Sequence, residues 1–145
     1  MTPAPLSPDV LVVRLRSMRE LLADLSAVGE VTAARLEGDR MLRHAVERVL
    51  TQLVDLAVAV NSHAVAAERE AAPTDYRSSF RAAGEVGLLE PELASRLAGS
   101  VGLRNVLVHE YVSVDLHVVA ASVGLALDQY GAYVRQVGAW LAARG

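Results

Sequence analysis

The sequence predicts an all-α protein, an antiparallel bundle of four to five main helices. Its 145 residues are 52% hydrophobic but only 4% aromatic, and Leu, Val and Ala supply most of the apolar content. This composition favours close-packed helices over a sheet, which depends on β-branched and aromatic pairs. Over long stretches the apolar residues recur every three or four positions, the spacing of one helix face. We expect residues 1–145 to form a single domain around one core.

The first helix is predicted to begin at Ser7-Pro8-Asp9. Ser7 suits the N-cap, Pro8 the first helical position, and Asp9 the positive end of the helix dipole. Gly29 is expected to end the helix, and a short helical turn is expected over residues 32–36. The apolar face follows alternating steps of four and three residues, at Leu11, Leu15, Met18, Leu22 and Leu25.

The longest predicted helix starts after Gly38-Asp39. Its narrow apolar stripe suits nearly antiparallel packing against the first helix. Asn61 and His63 follow the stripe, and we interpret them as C-terminal capping residues. The stripe repeats every three to four residues, at Leu42, Val46, Val49, Leu53, Leu56 and Val60.

The second half of the chain is more broken between residues 61 and 91. A short helix is predicted after the capping sequence at 73–75, and another is predicted to start at 90–92. We expect the latter to continue into the segment 104–111. A last long helix is predicted to begin near residues 113–115.

Composition excludes several classes of function. All 14 positive charges are Arg and the net charge is −3, which argues against a broad nucleic-acid-coating surface but permits a local phosphate site. Without Cys there is neither a disulfide framework nor a thiolate zinc site. The N-terminus lacks the features of a secretory signal and the apolar tracts are too short to span a bilayer, so we expect a cytoplasmic protein without membrane contact.

The octet RNVLVHEY, residues 104–111, holds the candidate functional residues. On a continuous helix Asn105 and His109 share one face, whereas Arg104 lies about 140° around the axis from His109. Arg104 and His109 can therefore converge in two ways. Either the helix ends near His109 and the imidazole turns back, or a second copy of the segment contributes across an interface.

These residue types suit phosphoryl transfer on RNA. A histidine such as His109 can exchange a proton with a 2′-hydroxyl or a leaving 5′-oxygen. The planar fork of Arg104 can stabilise charge on a phosphate, and the amide of Asn105 can orient either group. With the 2′-hydroxyl as nucleophile, neither a metal nor a cofactor is required. The spacing alone leaves a structural interpretation open, because cations complement a helix C-terminus and Tyr111 could anchor a corner.

The octet resembles the R-X4-H-X-Y signature of the HepT family. These are toxins of the HEPN superfamily, encoded beside a minimal nucleotidyltransferase, MntA. Residues 44–64 resemble the long second helix of the family. Residues 73–111, which include a P-x-x-Y-R-x-x-F pattern starting at Pro73, are similar to its third and fourth segments.

The resemblance implies a HEPN helical bundle, a homodimer with two facing R-X4-H motifs, and metal-independent RNA cleavage through the 2′-hydroxyl. In this chain Arg104 would contact the scissile phosphate, Asn105 would support the site and His109 would transfer a proton. Tyr111 matches the tyrosine that the partner nucleotidyltransferase modifies with AMP. The implied partners are an RNA substrate, an MntA-like antitoxin and a second copy of the chain.

Three hypotheses follow. The first is a toxin endoribonuclease that AMPylation inhibits. The second is a non-catalytic helical dimer that binds a nucleotidyltransferase and is modified by it. The third is a structural bundle in which Arg104 and Tyr111 have no role in binding or catalysis.

Overall fold

A computed structural model describes residues 5–69, 71–109 and 114–144. Within these ranges the chain forms α-helices and no strand, so the predicted all-α bundle is confirmed. The helices are α1 (Pro8–Ala27), α2 (Ala33–Gly38), α3 (Arg40–Glu68), α4 (Tyr76–Glu85), α5 (Pro91–Ala98), α6 (Ser100–His109) and α7 (Leu116–Ala143).

Helix α3 is the centre of the bundle. It packs against α1, α4, α6 and α7, and side chains such as Leu53, Ala57 and Val60 are fully buried along it. By length and mean hydropathy, 1.4 over its best window, α3 could cross a membrane. However, 56% of that window is buried inside the bundle, as is usual for the central helix of a packed core.

The predicted starts of α3 and α4 coincide with capping side chains. Asp39 accepts the Leu42 N–H at 3.0 Å at the start of α3. At the start of α4, Asp75 and Ser78 form a reciprocal capping box, in which hydrogen bonding from the Ser78 N–H lowers the pKa of Asp75. Ser7 precedes α1 as predicted, but its side chain makes no capping hydrogen bond.

The prediction that Asn61 and His63 cap the long helix is wrong. Helix α3 continues to Glu68, because residues 64 and 65 add further apolar side chains to the core. Asn61 is fully buried inside the helix; its Nδ2 donates to Ser79 Oγ at 3.3 Å and its Oδ1 accepts the Tyr133 hydroxyl at 2.7 Å. These bonds join α3, α4 and α7 and satisfy an amide whose burial would otherwise cost free energy. His63 Nε2 accepts the backbone N–H of Ser7 at 2.9 Å.

The single helix predicted from residue 90 into the octet is divided in two at Gly99. The Gly99 N–H bonds to the carbonyl of Arg96, three residues back, at 3.1 Å. Ser100 Oγ donates to the Leu97 carbonyl at 2.6 Å and shares a 2.7 Å hydrogen bond with the Tyr130 hydroxyl on α7. After this break α6 packs against α3, whereas α5 packs mainly against α4. The division therefore places Arg104 beside α3.

Candidate functional site

The Arg104 side chain lies where α3, α4 and α6 meet. Its Nε donates to Asp55 Oδ1 at 2.9 Å, and its guanidinium carbon is 4.7 Å from the centre of the Tyr76 ring. The Tyr76 hydroxyl donates to the same Asp55 oxygen at 3.1 Å. One carboxylate oxygen thus receives a donor from α4 and another from α6. The Arg104 side chain is only 18% exposed.

The strong hydrogen bond of the guanidinium is made by Nε, whereas Nη1 and Nη2 make weaker contacts. Nη1 is 3.3 Å from Asn105 Oδ1 and Nη2 is 3.5 Å from the Tyr76 oxygen, both long for hydrogen bonds. Burial, and then the adjacent Asp55 carboxylate, raises the pKa of Tyr76. The phenol therefore remains protonated at neutral pH and can donate to Asp55. Nη1 and Nη2 are therefore the guanidinium nitrogens held least tightly by the protein.

The other predicted site residues lie on the outer side of α6. Asn105 and His109 are both exposed, and His109 is the last residue of the helix. The described part of the chain supplies no hydrogen bond to the His109 imidazole, whereas Arg104 contacts Asn105, Asp55 and Tyr76. Within one copy, Arg104 and His109 are therefore not hydrogen-bonded to each other. Tyr111, the predicted modification site, lies outside the described residues.

Sequence reasoning missed Asp55 and Tyr76 as contacts of Arg104. A signal for Asp55 was present, because it is the only acidic residue in the apolar stretch 53–67. A lone carboxylate on a core helix usually has a partner, since burying an unpaired charge is costly. Tyr76 belongs to the P-x-x-Y-R-x-x-F pattern, but nothing in that pattern indicates which residue the ring contacts.

An apolar groove of about 610 Å³ opens between α6 and α7, beside Arg104. Val118 and Leu125, on its α7 side, are 48% and 55% exposed. Seven residues apart, they lie on the same face of the helix. Exposed apolar surface of this kind often marks a contact with another molecule. The apolar side chains lining the groove include Leu103, Val106, Leu107, Val118, Leu125 and Ala126.

In the ranges 5–69, 71–109 and 114–144, no three His, Asp or Glu side chains come together in a group that could hold a metal ion.

The family model described as Ribonuclease HepT-like matches residues 18–137. The chain belongs to the HepT-like family. The matched range includes Arg104 and His109, together with Asp55 and Tyr76. The predicted family resemblance is therefore confirmed.

A curated relative of this HepT-like chain is the tRNA nuclease HepT of Aphanizomenon flos-aquae. The two sequences are 37% identical over 95 residues, which are 66% of this chain and 65% of that protein. The alignment thus spans slightly less than two thirds of the relative's length.

Two solved structures share the fold of this HepT-like chain. One is a toxin–antitoxin complex with AMP-PNP, with a TM-score of 0.81 and 20% identity. The other is the tri-AMPylated HEPN toxin of Shewanella oneidensis in complex with an MNT antitoxin, with a TM-score of 0.81 and 21% identity. Each similarity covers 90% of this chain and 98% of the other. The predicted HEPN bundle is confirmed.

Proposed function

We propose that this protein is the toxin of a toxin–antitoxin pair and an endoribonuclease that cuts tRNA in the cytoplasm. The observation that carries the proposal is an intact R-X4-H motif in a HepT-like chain, with Arg104 held by Asp55 and Tyr76. The tRNA nuclease named HepT is a relative at 37% identity, which supports tRNA as the substrate class.

Arg104 binds the scissile phosphate in the proposed reaction. Its Nη edge carries parallel donors that match two phosphate oxygens. Charge accumulates on these oxygens as the 2′-oxygen attacks phosphorus, so a fixed cation there stabilises the transition state more than the substrate. Asn105, beside Nη1, supports this orientation.

His109 transfers protons. An imidazole removes the proton from the 2′-hydroxyl as the new O–P bond forms, and an imidazolium donates a proton to the 5′-oxygen as the old P–O bond breaks. The products are a 2′,3′-cyclic phosphate and a free 5′-hydroxyl. Because the nucleophile belongs to the RNA, and Arg104 and His109 supply charge and protons, the reaction requires neither a metal nor a cofactor.

A second copy of the chain completes the proposed site. In a two-fold symmetric dimer, the same surface of each copy faces its equivalent. The apolar groove beside Arg104 offers such a surface, and its use would bring two R-X4-H motifs together. Arg104 of one copy can then act with His109 of the other, so that the dimer holds two equivalent sites and a single His109 serves each site.

The proposed antitoxin is an MntA-like nucleotidyltransferase that AMPylates Tyr111. An AMP group two residues from His109 adds bulk and negative charge beside a phosphate-binding arginine, which opposes RNA binding. A toxin with the same fold is tri-AMPylated in complex with its MNT antitoxin, which supports the proposal.

Incubating the protein with its cognate nucleotidyltransferase and ATP is expected to add AMP to Tyr111. Mass spectrometry of wild-type protein should show the adduct on the peptide containing Tyr111, and Tyr111→Phe should show none. Tyr130→Phe is the matched control and should be labelled like wild type, because Tyr130 is buried. Equal labelling of Tyr111→Phe would place the modification elsewhere.

The alternative is a non-catalytic helical dimer that binds the nucleotidyltransferase and is modified by it. The observation that favours this alternative is the ion pair between Arg104 and Asp55. In this alternative the pair joins α6 to α3 and stabilises the bundle, and Arg104 does not bind a phosphate.

Cleavage of tRNA by purified protein in EDTA tests the proposal. Wild type is expected to cut tRNA at an undiminished rate after removal of divalent ions, leaving fragments with a 2′,3′-cyclic phosphate. Phosphatase and kinase treatment of the fragment ends identifies that product. Intact tRNA, with or without added Mg²⁺, would support the non-catalytic dimer.

A further inference from the structure

We propose that Asp55 and Tyr76 are positioning residues that fix the orientation of the Arg104 guanidinium for RNA cleavage. This inference rests on the nuclease function proposed above and assigns these two residues a role in it.

The contacts of Arg104 restrict the motions that would move its Nη edge. The Nε hydrogen bond to Asp55 at 2.9 Å opposes rotation of the guanidinium within its plane. The Tyr76 ring, 4.7 Å from the guanidinium carbon, opposes tilting of the plane. Because the guanidinium is rigid and planar, these two contacts leave the Nη atoms with a defined direction. An arginine on the surface without them would sample many rotamers.

Asp55 and Tyr76 are themselves held by the fold. The Tyr76 hydroxyl is bonded to Asp55, and the Tyr76 carbonyl accepts Ser79 Oγ at 2.8 Å. Ser79 also accepts the amide of the fully buried Asn61. The aromatic ring is thereby linked to the core of the bundle through α3 and α4. A site supported in this way keeps its geometry when substrate binds.

Because Asp55 is negatively charged, its effect on the orientation of Arg104 can be separated from its effect on RNA affinity. A carboxylate beside a phosphate-binding arginine repels RNA, so Asp55 does not favour substrate capture. Its contribution to the reaction is therefore expected in the rate of cleavage and not in RNA binding. A misplaced catalytic group slows the chemical step even when the substrate remains bound.

Three variants test this inference: Asp55→Asn, Tyr76→Phe and the control Asp24→Asn. Asp24 is an exposed carboxylate in the same shallow α1–α3 groove as Asp55, so its variant makes the same change of charge nearby. Single-turnover cleavage of tRNA gives the rate, and fluorescence anisotropy in a His109→Ala background gives the dissociation constant. Hydrogen exchange of the Arg104 Nε–H, followed by NMR, reports the orientation of the side chain without reference to activity.

Asp55→Asn is expected to cleave about 10- to 100-fold more slowly, by analogy with other losses of positioning. Its RNA affinity should be equal to or tighter than that of wild type, and its Arg104 Nε–H should exchange faster. Tyr76→Phe keeps the ring and should show a smaller loss of rate, and Asp24→Asn should cleave like wild type.

The two levels of the proposal fail in different ways. The positioning role would be overturned if wild type cleaves tRNA and Asp55→Asn shows the same cleavage rate and the same Nε–H exchange. That result would leave the proposed nuclease function standing. A wild-type protein that leaves tRNA uncut would refute the nuclease function itself.

Discussion

Replacing His109 with alanine is expected to lower tRNA cleavage by about 100- to 10,000-fold, the usual contribution of a general acid–base group. The imidazole is exposed at the end of α6, so its removal should cost little folding free energy. Thermal unfolding by circular dichroism should give the same midpoint as wild type. In cells, the variant should also lose the ability to arrest growth.

The control is His44→Ala. His44 is likewise exposed and helical, but it lies on α3 outside the octet. Its replacement should leave cleavage and growth arrest unchanged. Full cleavage by His109→Ala would remove His109 from the mechanism.

Replacing Leu125 with aspartate is expected to dissociate the proposed dimer and thereby to abolish most of the proposed cleavage. Leu125 is 55% exposed in the groove beside Arg104, so a monomer tolerates aspartate there. In a two-fold interface the substitution places two carboxylates in one apolar contact, where the desolvation of charge is costly. Analytical ultracentrifugation at micromolar concentration measures the loss.

Val13→Asp is the matched control for Leu125→Asp. Val13 is 60% exposed on α1. The substitution therefore adds the same charge at an exposed apolar position outside the groove. It should leave the dimer and its activity unchanged. An unchanged dimer in Leu125→Asp would show that the groove is not the interface.

Much of the bundle could be predicted from local sequence signals. The steps of three and four residues define α1 and most of α3, and Asp39 and Asp75 mark where helices begin. The end of α3 was missed because Asn61 resembles a capping residue. Its partners Ser79 and Tyr133 are 18 and 72 residues away in the chain, so only the fold brings them together.

The candidate site could be predicted in part. The chemistry of the octet made Arg104, Asn105 and His109 candidates, and the family resemblance supplied their predicted roles. Asp55 and Tyr76 contact Arg104 across 49 and 28 residues, and no local pattern encodes those distances. The division at Gly99 was also missed, since a glycine within a helical pattern often leaves the helix continuous.

Subunit mixing tests most directly the central claim, that each cleavage site combines Arg104 of one copy with His109 of the other. Arg104→Ala and His109→Ala chains, each inactive alone, are combined through different affinity tags and the heterodimer is isolated. One of its two sites then has an intact Arg104 from one copy and an intact His109 from the other. We predict that the heterodimer regains cleavage to a substantial fraction of the wild-type rate. A pure heterodimer as inactive as its two parents would contradict a site shared between copies.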